Sequence, residues 1–304
     1  MKWKKLGLIF EPKTVNRDWM VTHAMDPTVD HVKDDIYRIY FCGRNKDNQS
    51  LIGFVEIDIN DPTNILHAPI KPVLGLGELG AFDDNGVTAS WIINHDNRKY
   101  LYYIGWKPKS TTRLGLMTGL AISKDGGNSF KRYSRAPVLN LTNKEPFSIL
   151  TAPCVLKENN VWKMWYVSCV DWVHPDLPRY NIKYAESNDG LLWQQDGIVC
   201  IDFKSKDETA LARPCVLFEN GIYRMWYSFK DPAIGYRMGY AESDEGLKWE
   251  RMDDQVGIDV SKSGWDSEMI QYPYVFNHNG NKYMVYNGNG YGENGAGMAI
   301  LEKE

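Results

Sequence analysis

The chain has 304 residues, 43% of them hydrophobic, with a net charge of −4 and no basic run, which argues against nucleic acid or an anionic membrane surface as partner. Its 11 Trp and 18 Tyr are an aromatic load suited to strand interiors and to sugar-binding surfaces, and no stretch approaches transmembrane length. Five Cys, with Cys154 and Cys215 at equivalent positions of a repeat, read as buried free thiols in a reducing compartment rather than as a disulfide framework.

The first element, Trp3-Lys-Lys-Leu-Gly-Leu-Ile-Phe10, carries basic residues, but its apolar run is too short for a signal peptide and stops at Glu11-Pro12. A cytoplasmic location is therefore expected. Next come five similar units, at about residues 20–75, 85–140, 148–202, 209–260 and 268–301. Each opens on an anchored apolar strand: Pro27-Thr-Val, Ser90-Trp-Ile-Ile, Pro153-Cys-Val-Leu, Pro214-Cys-Val-Leu and Pro273-Tyr-Val-Phe. A polar hairpin turn follows, such as Glu219-Asn-Gly. An aromatic second strand comes next: Tyr37-Arg-Ile-Tyr-Phe, Tyr100-Leu-Tyr-Tyr, Trp162-Lys-Met-Trp-Tyr, Tyr223-Arg-Met-Trp-Tyr and Tyr283-Met-Val-Tyr. Third strands carry small residues and end in turns running Ser123 to Phe130, Ser187 to Trp193 and Ser243 to Trp249. In these turns Ser and Asp should satisfy backbone N–H groups while the aromatic staples the outer strand.

No long stretch has a helical period, so the expected fold is all-β, a five-bladed β-propeller in one domain spanning residues 1–304. The last unit lacks a fourth strand. Trp3–Phe10 resembles Trp193-Gln-Gln-Asp-Gly-Ile-Val-Cys-Ile, so the N-terminal strand is expected to complete the last blade and remove an open edge.

In such blades the loop leading into strand one and the end of strand two open on one face. The leading loops supply His23, Asp26, Asp83, Asp84, Glu145, Glu208, Arg213, Asp266 and Glu268. The second-strand ends supply Arg44, Trp106, Asp171, Trp172, Lys230, Asn287, Asn289 and Tyr291. Asp84 and Glu208 lie six residues before their anchors and Glu268 five. That spacing would aim several carboxylates into one cleft, where crowding separates their pKa values.

The pattern resembles the five-bladed propeller glycosidases, including invertases, arabinanases and mannoside phosphorylases, through Lys163-Met-Trp-Tyr and Arg224-Met-Trp-Tyr followed by Tyr-Ala-Glu-Ser. It is most similar to glycosidase-like proteins of bacterial surface-polysaccharide gene clusters, through His23-Ala24, Phe82-Asp-Asp-Asn-Gly-Val87, Ala212-Arg-Pro214, Trp265-Asp-Ser-Glu-Met269 and Tyr286-Asn-Gly-Asn-Gly-Tyr291. The resemblance implies a carboxylate at Asp26-Pro27. The invertase Arg-Asp-Pro and Glu-Cys-Pro positions here read Thr151-Ala152-Pro153 and Ala212-Arg213-Pro214, so two of three signature residues are missing.

The expected activity is action on a glycosidic bond by two carboxylates. Glu268 and Glu208 are the expected pair, in unassigned order, with Asp84 or Asp26 assisting. Arg213 and His23 would bind a polar or anionic group, and Trp106, Trp172 and Tyr291 would stack on sugar. Arg44, Asp83, Asp171, Lys230, Asp266 and Asn287 complete the expected substrate-binding set. A glycoside phosphorylase would need one acid plus cations such as Arg44, Arg213, Lys230 and His23. A transferase using an activated sugar would also fit the pattern, as would a non-catalytic carbohydrate-binding propeller. No His pairs with His or Cys at ligand spacing, so no metal or other cofactor is expected; Asp side chains or backbone carbonyls at the axis leave room for a structural calcium, which no loop supports with the spacing of a calcium motif.

Overall fold

Short aromatic strands separated by Asn/Asp/Gly turns can pair only with their neighbours, and in the computed structural model, which describes residues 1–303, they do so as antiparallel meanders. An outlying strand, β1 (Trp3–Phe10), precedes them. The first meander is β2 (Thr22–Lys33), β3 (Ile36–Arg44), β4 (Ser50–Asp58) and β5 (Asp61–His67). The second is β6 (Gly86–His95), β7 (Arg98–Pro108), β8 (Leu114–Ser123) and β9 (Lys131–Arg132). The third is β10 (Ile149–Glu158), β11 (Val161–His174), β12 (Leu177–Ser187) and β13 (Gln194–Ile201). The fourth is β14 (Ala210–Glu219), β15 (Ile222–Asp231), β16 (Gly235–Ser243) and β17 (Glu250–Arg251). The last runs β18 (Gln271–His278), β19 (Asn281–Asn287) and β20 (Ala296–Leu301), and β1 pairs antiparallel with β20 as its outer strand.

Each first strand packs against the first strand of the next meander, and β18 packs back on β2. The hydrogen-bonded ladder itself stays open, because β18–β20 with β1 form a separate sheet. Among the described residues no helix is long and apolar enough to cross a membrane.

The core has a repeated logic. Cys154 and Cys215 are free and buried, and each Sγ accepts a backbone N–H from the neighbouring first strand, Val216 at 3.3 Å and Val275 at 3.1 Å. Burial pushes the Cys154 thiol well above its usual range and the Cys215 thiol up to about 11, so neither is a ready nucleophile. Ser123, Ser187 and Ser243 accept the N–H groups of Gly127, Gly190 and Gly246 at 2.8–2.9 Å. The carbonyls of those glycines accept hydrogen bonds from Tyr40, Tyr102 and Trp165 of the preceding meander. The turns therefore lock neighbouring meanders together. Trp226 occupies the corresponding place in the fourth meander and packs edge-on against Trp3, its indole nitrogen unpartnered. No such turn precedes β1, since that strand comes from the other end of the chain.

Candidate functional site

All five first strands carry a register shift at the same level: Met25/Thr28, Ala89/Trp91, Thr151/Cys154, Ala212/Cys215 and Gln271/Tyr274. Four of these bulges place a residue just before proline in the left-handed region: Asp26 (φ 56°), Ala152 (47°), Arg213 (54°) and Tyr272 (59°). Proline has no N–H to give the ladder, so it tolerates a bulge, while a left-handed L-residue costs about 1–2 kcal/mol. Strain repeated at one level marks a constrained locus. There Asp26 and Arg213 meet, and the Tyr272 phenol feels the Asp26 charge.

Arg213 is fully buried. Its Nη1 donates to the Ser90 carbonyl, its Nη2 donates to the Pro27 carbonyl at 3.0 Å and to Thr28 Oγ1 at 2.7 Å, and its Nε lies 3.3 Å from Asp26 Oδ1. The guanidinium thus ties the fourth meander to the first two: both terminal nitrogens donate to protein oxygens, and Nε makes the ion-pair approach to Asp26 without a hydrogen bond. This corrects the expectation that Arg213 binds a ligand. Asp26 is also buried, and its backbone N–H donates to Asn287 Oδ1 at 2.9 Å. Asn287 in turn donates to the carbonyls of Ala24 and Gly295, so it fixes backbone rather than lining an open surface. Burial raises the Asp26 carboxyl to about 6 despite the opposing Arg213 charge.

The leading-loop carboxylates do not converge. Asp83 accepts from the Tyr103 hydroxyl at 2.8 Å and from Arg132 at 2.7 Å. Glu145 accepts from Tyr166 at 2.9 Å and Gln195 at 3.0 Å, and Asp266 from Tyr286 at 3.0 Å and Lys5 at 2.7 Å. Glu208 is held by both terminal nitrogens of Arg251, at 2.8 and 2.9 Å, and by the Lys204 N–H. Asp83, Glu145 and Asp266 therefore staple their loops to the second and outer strands of their own meanders, and Glu208 ties its loop to the outer strand. In the first meander the second-strand position is Phe41, which has no hydroxyl, and Trp19 stacks there instead of an acid. Asp84 pairs with Lys107 at 2.5 Å, and that hydrogen bond leads in holding its carboxyl below the usual range.

Glu268 is exposed, with its backbone N–H donating to Asn289 Oδ1 at 2.8 Å, whereas Glu208 is buried against Arg251. Asp171 is exposed and caps the Trp172 N–H at 2.7 Å. His23 stands beside Arg44, and burial lowers its imidazole to about 4 with help from the Arg44 charge. It is neutral at neutral pH, so it does not supply the expected cation.

The aromatic residues do converge. Trp106, Trp172 and Tyr291 join Tyr180 and Tyr236 in one apolar cluster. Trp106 donates its indole N–H to Thr88 Oγ1 at 2.9 Å, the Tyr180 and Tyr236 hydroxyls bond at 2.8 Å, and Tyr236 packs edge-on to Tyr291 at 6.0 Å. Lys230 reaches the Tyr291 hydroxyl at 3.4 Å. Tyr180, Tyr236 and Tyr272 were not among the sequence candidates. All three had a usable signal: Tyr272 precedes Pro273 as Asp26 precedes Pro27, and Tyr180 and Tyr236 recur at one position of the repeat, each seven residues before its turn serine, Ser187 or Ser243.

Two hollows lie elsewhere. One of about 480 Å³ borders Phe130, Arg132 and Tyr133, another of about 600 Å³ borders Met238, Asp253 and Ile258, and neither reaches Asp26. Among the described residues no group of three or more His, Cys, Asp or Glu is placed to hold a metal ion.

No protein-family model matches the chain. It is 41% identical over 304 residues to the Mycobacterium tuberculosis (strain CDC 1551 / Oshkosh) "Uncharacterized protein MT1551", covering 99% of this chain and 100% of the relative. It is 40% identical, with the same coverage, to "Uncharacterized protein Rv1502" of strain H37Rv. Among solved structures it is similar to a "Glycoside hydrolase" (TM-score 0.76, 17% identity, 99% of this chain and 92% of that one). A thermostable family-43 glycoside hydrolase is also similar (TM-score 0.69, 18% identity, 93% and 91%). These likenesses identify the fold as that of the propeller glycosidases.

Proposed function

For a chain that belongs to the family of the Mycobacterium tuberculosis proteins MT1551 and Rv1502 and is built on the propeller glycosidase fold, we propose a carbohydrate-active role centred on Asp26. The same reading takes the chain as one domain of five blades, supported by the cyclic packing of the first strands. One observation carries the functional reading. Asp26 is the sole carboxylate among the pre-proline bulge residues, and its ionisation lies at about 6, near the working range of an acid catalyst.

In this reading Asp26 protonates the leaving oxygen of a glycosidic bond, and the cluster of Trp106, Trp172 and Tyr291 stacks on the sugar. The attacking group is water in hydrolysis or phosphate in phosphorolysis. Glu208 and Glu268 take no chemical part. As an acid Asp26 acts when protonated, so turnover should fall as pH rises above about 6.

A second reading, sugar binding without turnover, is favoured by the Arg213 contact, which holds Asp26 inside a nearly closed site. The test measures glycoside cleavage and sugar binding by the whole protein and by Asp26→Asn, with and without phosphate. Asp26→Asn should lower turnover by about 10²–10⁴-fold, as loss of an acid does, and keep binding. Sugar binding with no turnover in either protein would establish the second reading. Unchanged turnover in Asp26→Asn would remove Asp26 from the mechanism.

A further inference from the structure

Seven lysines are half-buried or buried. Six of them meet a carboxylate: Lys5 with Asp266, Lys99 with Asp30, Lys107 with Asp84, Lys163 with Glu158, Lys183 with Glu145 and Lys282 with Glu219. Lys230 alone has no ion pair among the described residues. Withdrawing an ammonium from water is costly unless a charge or aromatic face replaces the lost hydration. Lys230 has only the 3.4 Å contact with Tyr291 and the faces of Tyr236 and Tyr291, at 5.4 and 5.9 Å.

The acidic residues of its strand end and of the bulge site are engaged elsewhere. Asp26 is matched by Arg213, and the carboxylate of the adjacent Asp231 caps the Ala233 N–H at 2.8 Å. Arg44, at the corresponding strand end of the first meander, is also without a carboxylate and has one 3.4 Å hydrogen bond to Asn48. Its neighbour His23 packs against the backbone of Gly290, next to Tyr291. The loop carrying Tyr291 therefore touches both Lys230 and the His23–Arg44 pair.

We infer that the aromatic site takes a ligand with an anionic group, a carboxylate or phosphate, placed on Lys230. This rests on the proposed sugar-binding role of that site. The anion belongs either to the sugar itself or to free phosphate bound beside a neutral sugar; the recognition chemistry is the same, and the two sources are separable by experiment.

The test is NMR titration of the whole protein with glucose, glucuronate, glucose 6-phosphate and inorganic phosphate, at low and high salt. It uses wild type, Lys230→Met, which keeps the apolar stem, and Lys230→Arg, which keeps the charge. Thermal unfolding checks that the variants fold. The expected result is that the acidic sugars bind at least about ten-fold tighter than glucose, an advantage lost in Lys230→Met, kept in Lys230→Arg and weakened by salt. Inorganic phosphate that binds with the same Lys230 dependence and displaces the acidic sugars would support the subsite and assign it to free phosphate. Equal binding of the three sugars with no phosphate binding, or an anion preference unchanged in Lys230→Met, would overturn the inference and leave the sugar site standing. Failure of every sugar to bind would overturn the proposed function as well.

Discussion

At the scale of single residues, two side chains with separate expected roles, Asp26 assisting the catalytic acids and Arg213 binding a polar or anionic group, are partners of one another. Arg213 and Asp26 occur 187 positions apart in the chain, and only the ring of bulges brings them together. The consequence for stability has a definite sign. A carboxyl whose folded pKa is raised from 3.8 to about 6 favours the folded state while protonated. That contribution is fully present below about pH 4 and is lost as pH rises through 6. At about 1.4 kcal/mol per unit it amounts to roughly 3 kcal/mol. Asp26→Asn cannot ionise, so its urea midpoint relative to wild type should change across pH 4–6 and be flat above pH 7. A difference that is constant from pH 4 to 7 would show that Asp26 ionises normally. His23 acts in the opposite sense: its imidazole is lowered from 6.5 to about 4, so its contribution is present above pH 6.5 and is lost as pH falls through 4.

At the scale of elements, the carboxylates of the leading loops explain themselves once strand pairing is known. Tyr103, Tyr227, Phe41 and Tyr286 each sit opposite a third-strand glycine, Gly119, Gly239, Gly53 and Gly297. An added Cβ at Gly119 would come within 2.2 Å of the Tyr103 ring, and at Gly239 within 2.4 Å of the Tyr227 ring. The ring lies across the glycine, and in the second and last meanders its hydroxyl then meets the acid of the leading loop. The small third-strand residues were legible in the sequence; their reason was not, because a repeat shows which residue types recur and not what they touch. Glu208→Gln should therefore act as a stability mutation. Weakening the buried bidentate pair with Arg251 should cost about 3–5 kcal/mol and lower the melting temperature, while turnover measured well below that temperature persists. Loss of turnover at unchanged stability would return Glu208 to the chemistry.

At the scale of the whole molecule, the chain joins its two ends in one meander. Removal of residues 1–10 would bare the edge of β20 and the Trp226 face that Trp3 covers. The truncated protein should unfold at lower temperature and self-associate through the exposed strand, as read by thermal unfolding and size-exclusion chromatography. A monomer as stable as the full chain would show that β1 does not help hold the last meander. The sequence by itself determined the strand repeat, the lock of Ser and Gly in the outer turns, the buried free cysteines and the return of Trp3–Phe10 to the last meander. All of these depend on contacts between neighbouring strands or on positions that recur. Only the tertiary structure decided that Asp26 faces Arg213, that Glu208 and Asp266 staple their own loops, and that, among the described residues, Lys230 alone of the buried and half-buried lysines has no carboxylate partner. Those facts depend on which side chains from distant units meet at one level of the ring. Charge compensation is settled there by geometry in space, and spacing along the chain does not carry it.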